Sequence, residues 1–317
     1  MKRMTFKEYM AGALTKPMEG DTVEYYKIKG RVSGNVLTNA QQNIPAGGYN
    51  YEADITKFWE EFQRLKKECD YKLSFNTLMM RVLAEGLKVA PRLNAHMDYR
   101  PLSSSGRLII KKHIDIAMPV LLESGETFPI KVRHVEEMNL KELQSEIDRM
   151  LETLKTTDVD RVLFDVILQR IIGFVCKGKL RQTAAQIYTG YCGKFKVAKL
   201  SGLFEHADRD PSKSLQMYEL NEGSVCLTNL GTLCKDLKGN VTYAPILYPQ
   251  VFIMALCSMQ DKDYVFRNEK GEVDIATKKV LPINLMFDHR IGGFADVVPF
   301  IKKLDEIFAN PEVIREW

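Results

Sequence analysis

The chain has 317 residues, a formal net charge of +4, and 45% hydrophobic and 27% charged residues. These values are ordinary for a globular protein that is long enough to bury a sizeable core. Because no block of about five like charges occurs, we expect neither a nucleic-acid-binding arm nor an acidic tail. Because no apolar run reaches about 18 residues, we expect no transmembrane helix.

The cysteines are too widely spaced for a C-x-x-C pair, and their pattern suits neither a zinc site nor a dense disulfide framework. They are Cys69, Cys176, Cys192, Cys226, Cys234 and Cys257. We therefore expect reduced thiols and a cytoplasmic location. The N-terminal segment, 1–24, is basic but lacks the apolar run of a signal peptide, and we expect it to be a leader or an edge element.

Two amphipathic helices are predicted in the first third of the chain. In 54–70, apolar side chains recur at helical spacing, and Asp54 is a suitable N-cap. The second helix lies in 74–98, where Ser74 is the expected N-cap and Pro91 is expected to end the helix.

The segment 107–151 is predicted to contain strands followed by a helix. Alternating apolar residues indicate a half-buried strand, and Ser124–Glu126 is the expected turn. Asn139 and Glu142 have the spacing of a capping box at the start of the helix.

Residues 151–220 differ in character from the rest of the chain. Within them, 161–182 begins with an almost continuous apolar run and ends in basic residues. This pattern is compatible with a buried helix, a partner-facing helix or an interfacial membrane helix, and the apolar run favours a buried or oligomer-facing one. Residues 205–214 are predicted to form a loop.

The last third of the chain mixes strands, a hairpin and a closing helix. Strands are predicted in 223–236 and 244–260, followed by a hairpin in 267–290 around a Lys-Gly turn and a helix in 295–314. Because strands and helices mix in order and hairpins occur, the pattern indicates an α/β protein with a mixed sheet rather than a strict βαβ array.

Of the five histidines, His289 has the strongest chemical context. It lies between Asp288 and Arg290, after an apolar strand and before two glycines, and a histidine can exchange a proton near neutral pH. A rigid strand end that opens onto a cleft suits a general base, although strand-end histidines are also often only hydrogen-bonded. No two histidines have the i, i+4 spacing of a metal-binding helix, so no metal site is predicted.

A second candidate is the Leu-Thr-Asn-Leu-Gly stretch, Leu227–Gly231. Thr228 and Asn229 present a hydroxyl and an amide side by side at a strand end, where such donors can stabilise an oxyanion. The simpler interpretation is a strand end with an Asx-type turn, and the residues alone favour it. No G-x-G-x-x-G, Walker A or G-x-S-x-G pattern occurs, which argues against a nucleotide-phosphate cradle and a serine esterase.

Four segments, taken together and in order, carry a resemblance to a known family. They are 74–96 with its Pro-x-Leu-Asn end, 113–147, 227–259 with Leu-Thr-Asn-Leu-Gly, and 287–312 with Asp-His-Arg and Asn-Pro-Glu. They resemble the catalytic domain of the 2-oxoacid dehydrogenase acyltransferases, which shares its fold with chloramphenicol acetyltransferase. The resemblance implies an α/β fold, a chloramphenicol acetyltransferase-like two-layer sandwich with a mixed β-sheet.

The resemblance implies a CoA-dependent acyltransferase that moves an acyl group from acyl-CoA to a small thiol, hydroxyl or amine acceptor. His289 would be the general base, and Thr228, where the family has serine, would be the oxyanion donor. The supporting residues would be Asp288, Arg290, Asn229, Gly231 and Gly293. In the family the site lies between subunits, so a homotrimer is implied, with His289 and Thr228 from different chains. CoA or acyl-CoA would be a substrate, and no covalent lipoyl group and no metal are expected.

Two positions depart from the family pattern. Gly293 stands where the family has Asp or Asn, and Phe294 stands where it has glycine, so Asp288 and Asp296 are candidates for a substitute carboxylate. The departure leaves open an alternative, a catalytically inactive trimeric scaffold or regulatory protein that uses 161–182 as a docking surface.

The expected domain organisation follows from the same resemblance. Residues 25–317 are predicted to form a single acyltransferase-like domain with a family-atypical insertion at about 151–220, as in stand-alone members without a lipoyl domain. A protein or membrane contact through 161–182 stays open. An antibiotic acetyltransferase would share the chemistry, but the Asp-His-Arg triplet favours the 2-oxoacid dehydrogenase side.

Overall fold

The structure, a computed structural model, describes most of the chain. The described residues are 5–7, 10, 16–26, 28–100, 103–121, 127–157, 162, 168, 171–176, 178, 180–191, 214–215, 219–220, 223–231 and 239–317. The chain forms two compact units, Met1–Gly34 with Val159–Asp208 and Asn35–Asp158 with Arg209–Trp317. The sheet and all the predicted site residues belong to the second unit.

The described residues form helices and strands in alternating groups. The helices are α1 (Ile28–Asn43), α2 (Thr56–Glu68), α3 (Phe75–Val89), α4 (Leu140–Thr156), α5 (Leu180–Tyr191) and α6 (Val298–Ala309). The strands are β1 (Ala46–Asp54), β2 (Ala95–Arg100), β3 (Ser105–Ile110), β4 (Ile116–Leu121), β5 (Thr127–Val132), β6 (Val225–Asn229), β7 (Phe252–Leu256), β8 (Gln260–Arg267) and β9 (Val273–Asp288). Of these helices and strands, the first unit contains the start of α1 and the whole of α5.

The main sheet is mixed, as the sequence predicted. Among the described residues its strand order is β1-β9-β7-β6-β4-β5, and β8 pairs with the first half of β9. The pairs β4–β6 and β6–β7 are parallel, whereas β1–β9, β7–β9 and β4–β5 are antiparallel. Strands β2 and β3 form a separate antiparallel pair. The predicted hairpin around the Lys-Gly turn is confirmed as β8 and β9.

Helices cover the centre of this sheet, and aromatic rings fill the space between the layers. The ring of Phe252 on β7 packs edge-on against Phe300 of α6, with centroids 5.0 Å apart. Phe58 of α2 meets Phe308 of α6 in the same way at 5.0 Å. An alanine Cβ at Gly86 of α3 would lie 2.5 Å from the Phe300 ring, so this glycine allows α3 and α6 to pack closely.

Two of the three predicted helix caps are confirmed. The Ser74 hydroxyl accepts a hydrogen bond from the Thr77 N–H, and Asn139 and Glu142 form the complete capping box of α4. The prediction for Asp54 was wrong, because Asp54 is the last residue of β1 and not the N-cap. Its carboxylate instead accepts hydrogen bonds from the N–H and hydroxyl of Thr56, the first residue of α2.

The described cysteines form no disulfide bonds, and the expectation of reduced cysteines stays a prediction. They are Cys69, Cys176, Cys226 and Cys257. Burial raises the pKa of the Cys226 thiol to about 12. A thiol with so high a pKa stays neutral near neutral pH and is a poor nucleophile.

Several predictions fall partly or wholly outside the described residues. They are the turn Ser124–Glu126, the greater part of the loop 205–214, and ten positions of the segment 161–182. In the part of the chain that the structure describes, no helix is both long and apolar enough to cross a membrane.

Candidate active site

His289 lies where the sequence placed it, at the end of a buried strand and open to solvent. The last residue of β9, Asp288, has no exposed surface, whereas the His289 side chain is exposed. The backbone is fixed on both sides, because the Asp288 N–H donates to the Val251 carbonyl at 2.8 Å and the His289 N–H donates to the Pro45 carbonyl at 2.9 Å. The strand therefore presents an exposed imidazole on a rigid base.

The two neighbours of His289 hold each other. Arg290 forms a bidentate ion pair with the buried Asp288, with Nε–Oδ1 at 2.9 Å and Nη2–Oδ2 at 2.6 Å. The Arg290 N–H also donates to Asp288 Oδ1 at 3.0 Å, which closes the turn around the histidine. The guanidinium lies 5.1 Å from the centre of the Tyr99 ring, a cation–π contact. The pair stabilises the turn that carries the imidazole.

The His289 ring packs against apolar and aromatic groups. Its centroid lies 5.4 Å from that of Phe287, and the exposed ring of Phe294 packs against Tyr49 of β1 with centroids 5.2 Å apart and the rings tilted by 55°. Gly47 on β1 leaves space for the imidazole, because a Cβ there would lie 3.1 Å from His289 Cδ2 and 2.7 Å from the Phe287 ring. Sequence reasoning missed both β1 and Gly47. The available signal was the paired glycine followed by alternating aromatic residues at 47–51.

The loop after His289 is held by Arg92. Its guanidinium donates to the Ile291 carbonyl and forms an ion pair with Asp296, with Nε–Oδ1 at 3.1 Å. Asp288 and Asp296, the two candidates for a substitute carboxylate, are thus both engaged by arginines. The expectation that one of them replaces the carboxylate missing at Gly293 stays a prediction.

Thr228 and Asn229 end strand β6, and the residues after them form the Asx-type turn that the simpler interpretation predicts. Asn229 Oδ1 accepts from the Gly231 N–H at 3.0 Å, and its amide group donates to Asn76 at the start of α3 at 2.6 Å. A Cβ at Gly231 would lie 2.7 Å from the Cys257 carbonyl oxygen, so the close approach to this backbone requires glycine. Asn229 and Gly231 line a cavity of about 390 Å³.

The sheet register separates Thr228 from His289 within one chain. Thr228 pairs with Ala255, and Ala255 pairs with Asn284, which lies five residues before His289 on β9. Five residues of strand extend about 17 Å, and two strand spacings add about 10 Å sideways. The two side chains are therefore about 19 Å apart by this geometry, too far to touch one substrate carbonyl.

Comparison with known proteins identifies the family. The sequence model described as 2-oxoacid dehydrogenases acyltransferase (catalytic domain) matches residues 19–161 and 197–315. The dihydrolipoyllysine-residue succinyltransferase component of the 2-oxoglutarate dehydrogenase complex of Rickettsia felis is 24% identical over 257 residues, which is 81% of this chain and 45% of that protein. The chain thus spans less than half the length of this relative.

Two solved structures share the fold. The cubic core of the pyruvate dehydrogenase multienzyme complex superposes with a TM-score of 0.60 and 18% identity, covering 94% of this chain and 97% of that chain. The dihydrolipoamide acetyltransferase of Azotobacter vinelandii gives a TM-score of 0.59 and 18% identity, with the same two coverages. These matches confirm the predicted fold class.

The family match leaves residues 162–196 uncovered. This stretch lies inside the insertion predicted at about 151–220, and most of it belongs to the first compact unit. The bounds of the insertion, and the single domain predicted for 25–317, stay predictions.

Proposed function

This chain belongs to the family of 2-oxoacid dehydrogenase acyltransferase catalytic domains, and on that premise we propose that it transfers an acyl group from acyl-CoA to a small thiol, hydroxyl or amine acceptor. The observation that carries the proposal is the exposed His289 imidazole on a backbone fixed from both sides. In the Azotobacter vinelandii relative, a serine, a histidine and an asparagine have been studied for their roles in the catalytic mechanism.

In the proposed reaction, His289 removes the proton from the acceptor as the acceptor attacks the thioester carbonyl of acyl-CoA. The oxyanion of the tetrahedral intermediate accepts a hydrogen bond from the Thr228 hydroxyl. Collapse of the intermediate breaks the carbon–sulfur bond, and the CoA sulfur takes up the proton that His289 holds. CoA is a substrate in this scheme, and neither a metal nor a covalent lipoyl group takes part.

The proposed site contains residues of two chains. The register separation of about 19 Å between the two residues in one chain supports a site in which His289 meets Thr228 of another copy. A cyclic assembly repeats such a two-chain site at every interface, and the implied trimer would hold three. The relative that forms a cubic core shows that this fold supports symmetric assembly.

The test measures CoA release by chromatographic separation of CoA from acyl-CoA, using acetyl-CoA and succinyl-CoA as donors and dihydrolipoamide, an amine and an alcohol as acceptors. We expect acceptor-dependent release by the wild type and a loss of at least about 10²-fold in kcat/KM for His289→Ala. If the wild type and His289→Ala release CoA at equal rates with every acceptor, His289 is not the base.

The matched pair for the second residue is Thr228→Ser and Thr228→Val. Thr228→Ser keeps the hydroxyl and restores the residue that the family has, so we expect activity at least equal to that of the wild type. Thr228→Val keeps the shape and loses the hydrogen bond, so we expect a loss of about 10²-fold or more. Equal activity of these two variants would exclude an oxyanion role.

The second candidate function is a catalytically silent scaffold, and Gly293 is the observation that favours it. A scaffold would not release CoA in any of these assays, and its assembly would be unaffected by His289→Ala. Activity of the wild type with any one acceptor decides for the enzyme.

A further inference from the structure

A cluster of two histidines and two glutamates lies at one end of the sheet, away from His289. His113 precedes β4, and His134 follows β5. Because β4 and β5 are antiparallel, the start of β4 and the end of β5 lie side by side. Glu136 and Glu137 are in the short 3₁₀ turn that leads from β5 to α4. Three strand spacings, about 14 Å, separate β4 from β9, so this cluster is distinct from His289.

The side chains in this cluster converge on one point. Each of the four offers one nitrogen or oxygen atom, and these atoms all lie within 4.8 Å of one another. His113 Nδ1 lies 3.0 Å from a Glu136 oxygen and 3.2 Å from a Glu137 oxygen, and His134 Nδ1 lies 3.8 Å from the other Glu137 oxygen. The two imidazole centroids are 4.1 Å apart.

These separations match those between the ligands of a small cation. Bonds of about 2.0–2.2 Å from Zn²⁺ to nitrogen or oxygen place neighbouring ligands of a tetrahedron about 3.3–3.6 Å apart. The two shortest pairs in the cluster, at 3.0 and 3.2 Å, lie just below this range, and the next, at 3.8 Å, lies just above it. Small side-chain rotations would bring the remaining pairs, all within 4.8 Å, to the same spacing.

The backbone of the glutamate turn is fixed before any ligand binds. The Arg81 guanidinium donates to the carbonyls of Val135, Glu136 and Met138 at 3.1, 3.2 and 2.9 Å. One Glu136 oxygen accepts from the Ile114 N–H at 2.9 Å, which leaves its other oxygen directed at the histidines. The ligand atoms therefore sit on a rigid frame, as a binding site requires.

Hydrogen bonding alone satisfies this cluster poorly. A single N–H at His113 Nδ1 faces two carboxylate oxygens, and only one of these can take a well-aligned hydrogen bond. A divalent cation, by contrast, binds neutral imidazole nitrogens and both carboxylates at once.

We infer that His113, His134, Glu136 and Glu137 bind a divalent transition-metal ion, with Zn²⁺ as the cation that best fits this donor set. Two imidazole nitrogens favour a cation of intermediate softness, such as Zn²⁺, over Mg²⁺ or Ca²⁺, which prefer oxygen ligands alone. Four protein ligands complete a tetrahedron and leave no open position, so the ion has a structural role. It fastens the end of the β4–β5 hairpin to the turn before α4.

Sequence reasoning predicted no metal here because it compared only histidines that are close together in the chain. His113 and His134 belong to different strands, and only the antiparallel pairing of β4 with β5 joins them. The 3₁₀ turn then adds the two carboxylates.

The test uses the full chain, freed of metal with a chelator, and ZnCl₂ alone as the probe. We expect calorimetric titration to give one Zn²⁺ per chain and Zn²⁺ to raise the Tm, whereas Mg²⁺ does neither. His134→Gln and Glu137→Gln should each weaken Zn²⁺ binding at least about tenfold. Both side chains are substantially exposed, at 36% and 60%, so neither change should unfold the protein.

Glu152→Gln is the matched control, because Glu152 is an exposed glutamate of α4 that pairs only with Lys155 at 2.7 Å among the contacts described. It should bind Zn²⁺ like the wild type. The inference is overturned if the wild type binds no Zn²⁺ or if both cluster variants bind it as tightly as the control. Equal affinity for Mg²⁺ would also overturn it, since an acidic patch would then explain the binding. Comparing the Tm of the metal-free variants with that of the metal-free wild type distinguishes a loss of Zn²⁺ binding from a loss of folding.

Discussion

If His289 and Thr228 act on one substrate from different copies, two inactive variants should restore each other when they assemble together. His289→Ala removes the base and Thr228→Val removes the hydroxyl, so each alone should retain about 1% of wild-type activity or less. In a randomly mixed oligomer, half of the histidines and half of the threonines are intact. Each site takes its histidine from one chain and its threonine from the neighbouring chain of the ring. About a quarter of the sites therefore contain both an intact histidine and an intact threonine. The mixture should therefore be about 25-fold more active than either variant.

The assay is CoA release by oligomers that are co-expressed from differently tagged variants and purified through both tags. This purification removes unmixed oligomers, so in a trimer one site in three is intact and the expected gain becomes about 33-fold. The control is co-expression of His289→Ala with the double variant that carries both changes, which contains no intact histidine and should stay inactive. A mixture no more active than its parents would refute the two-chain site, because chains that hold both residues in one site cannot complement. The prediction depends on the separation of about 19 Å between the two residues in one chain.

Two further substitutions test the frame around the histidine. Gly47→Ala places a Cβ 3.1 Å from the His289 ring, and we expect the displaced imidazole to lower kcat/KM about tenfold or more. The control is Gly239→Ala, which should leave kcat/KM unchanged because its Cβ meets nothing within 4 Å. Asp288→Asn removes the buried charged partner of Arg290 and should lower the free energy of unfolding by about 3 kcal/mol. This value is at the low end for buried pairs because the Arg290 side chain is 19% exposed. A change below about 0.5 kcal/mol in denaturant titrations would show that this pair does not stabilise the turn.

The features that the sequence predicted correctly depend on neighbouring residues. The cap at Ser74, the capping box of Asn139 and Glu142, and the buried run that ends at Asp288 are all set by residues within a few positions of one another. The exposed position of His289 follows from the same run, because a strand that is buried up to its last residue must leave the core at the next turn.

The features that were missed depend on contacts between distant segments. Strand β1 contains two adjacent glycines, which are poor strand formers, so only the alternating tyrosines after them indicate a strand. The structure gives the reason for both glycines. A Cβ at Gly47 would meet the ring of Phe287, and a Cβ at Gly48 would lie 2.6 Å from the sulfur of Met286. The requirement for glycine thus originates in β9, more than two hundred residues away in the chain.

The backbone at position 293 does not require glycine. Gly293 has an extended backbone, with φ 164°, that any residue can adopt, and nothing lies within 4 Å of the position that a Cβ would take. Gly292 is the residue that the turn requires, because its φ of +150° disfavours a side chain. The loop is further held by Arg92 through Ile291 and Asp296. Since the backbone would accept Asp or Asn at 293, the folding of the loop does not account for the missing polar side chain.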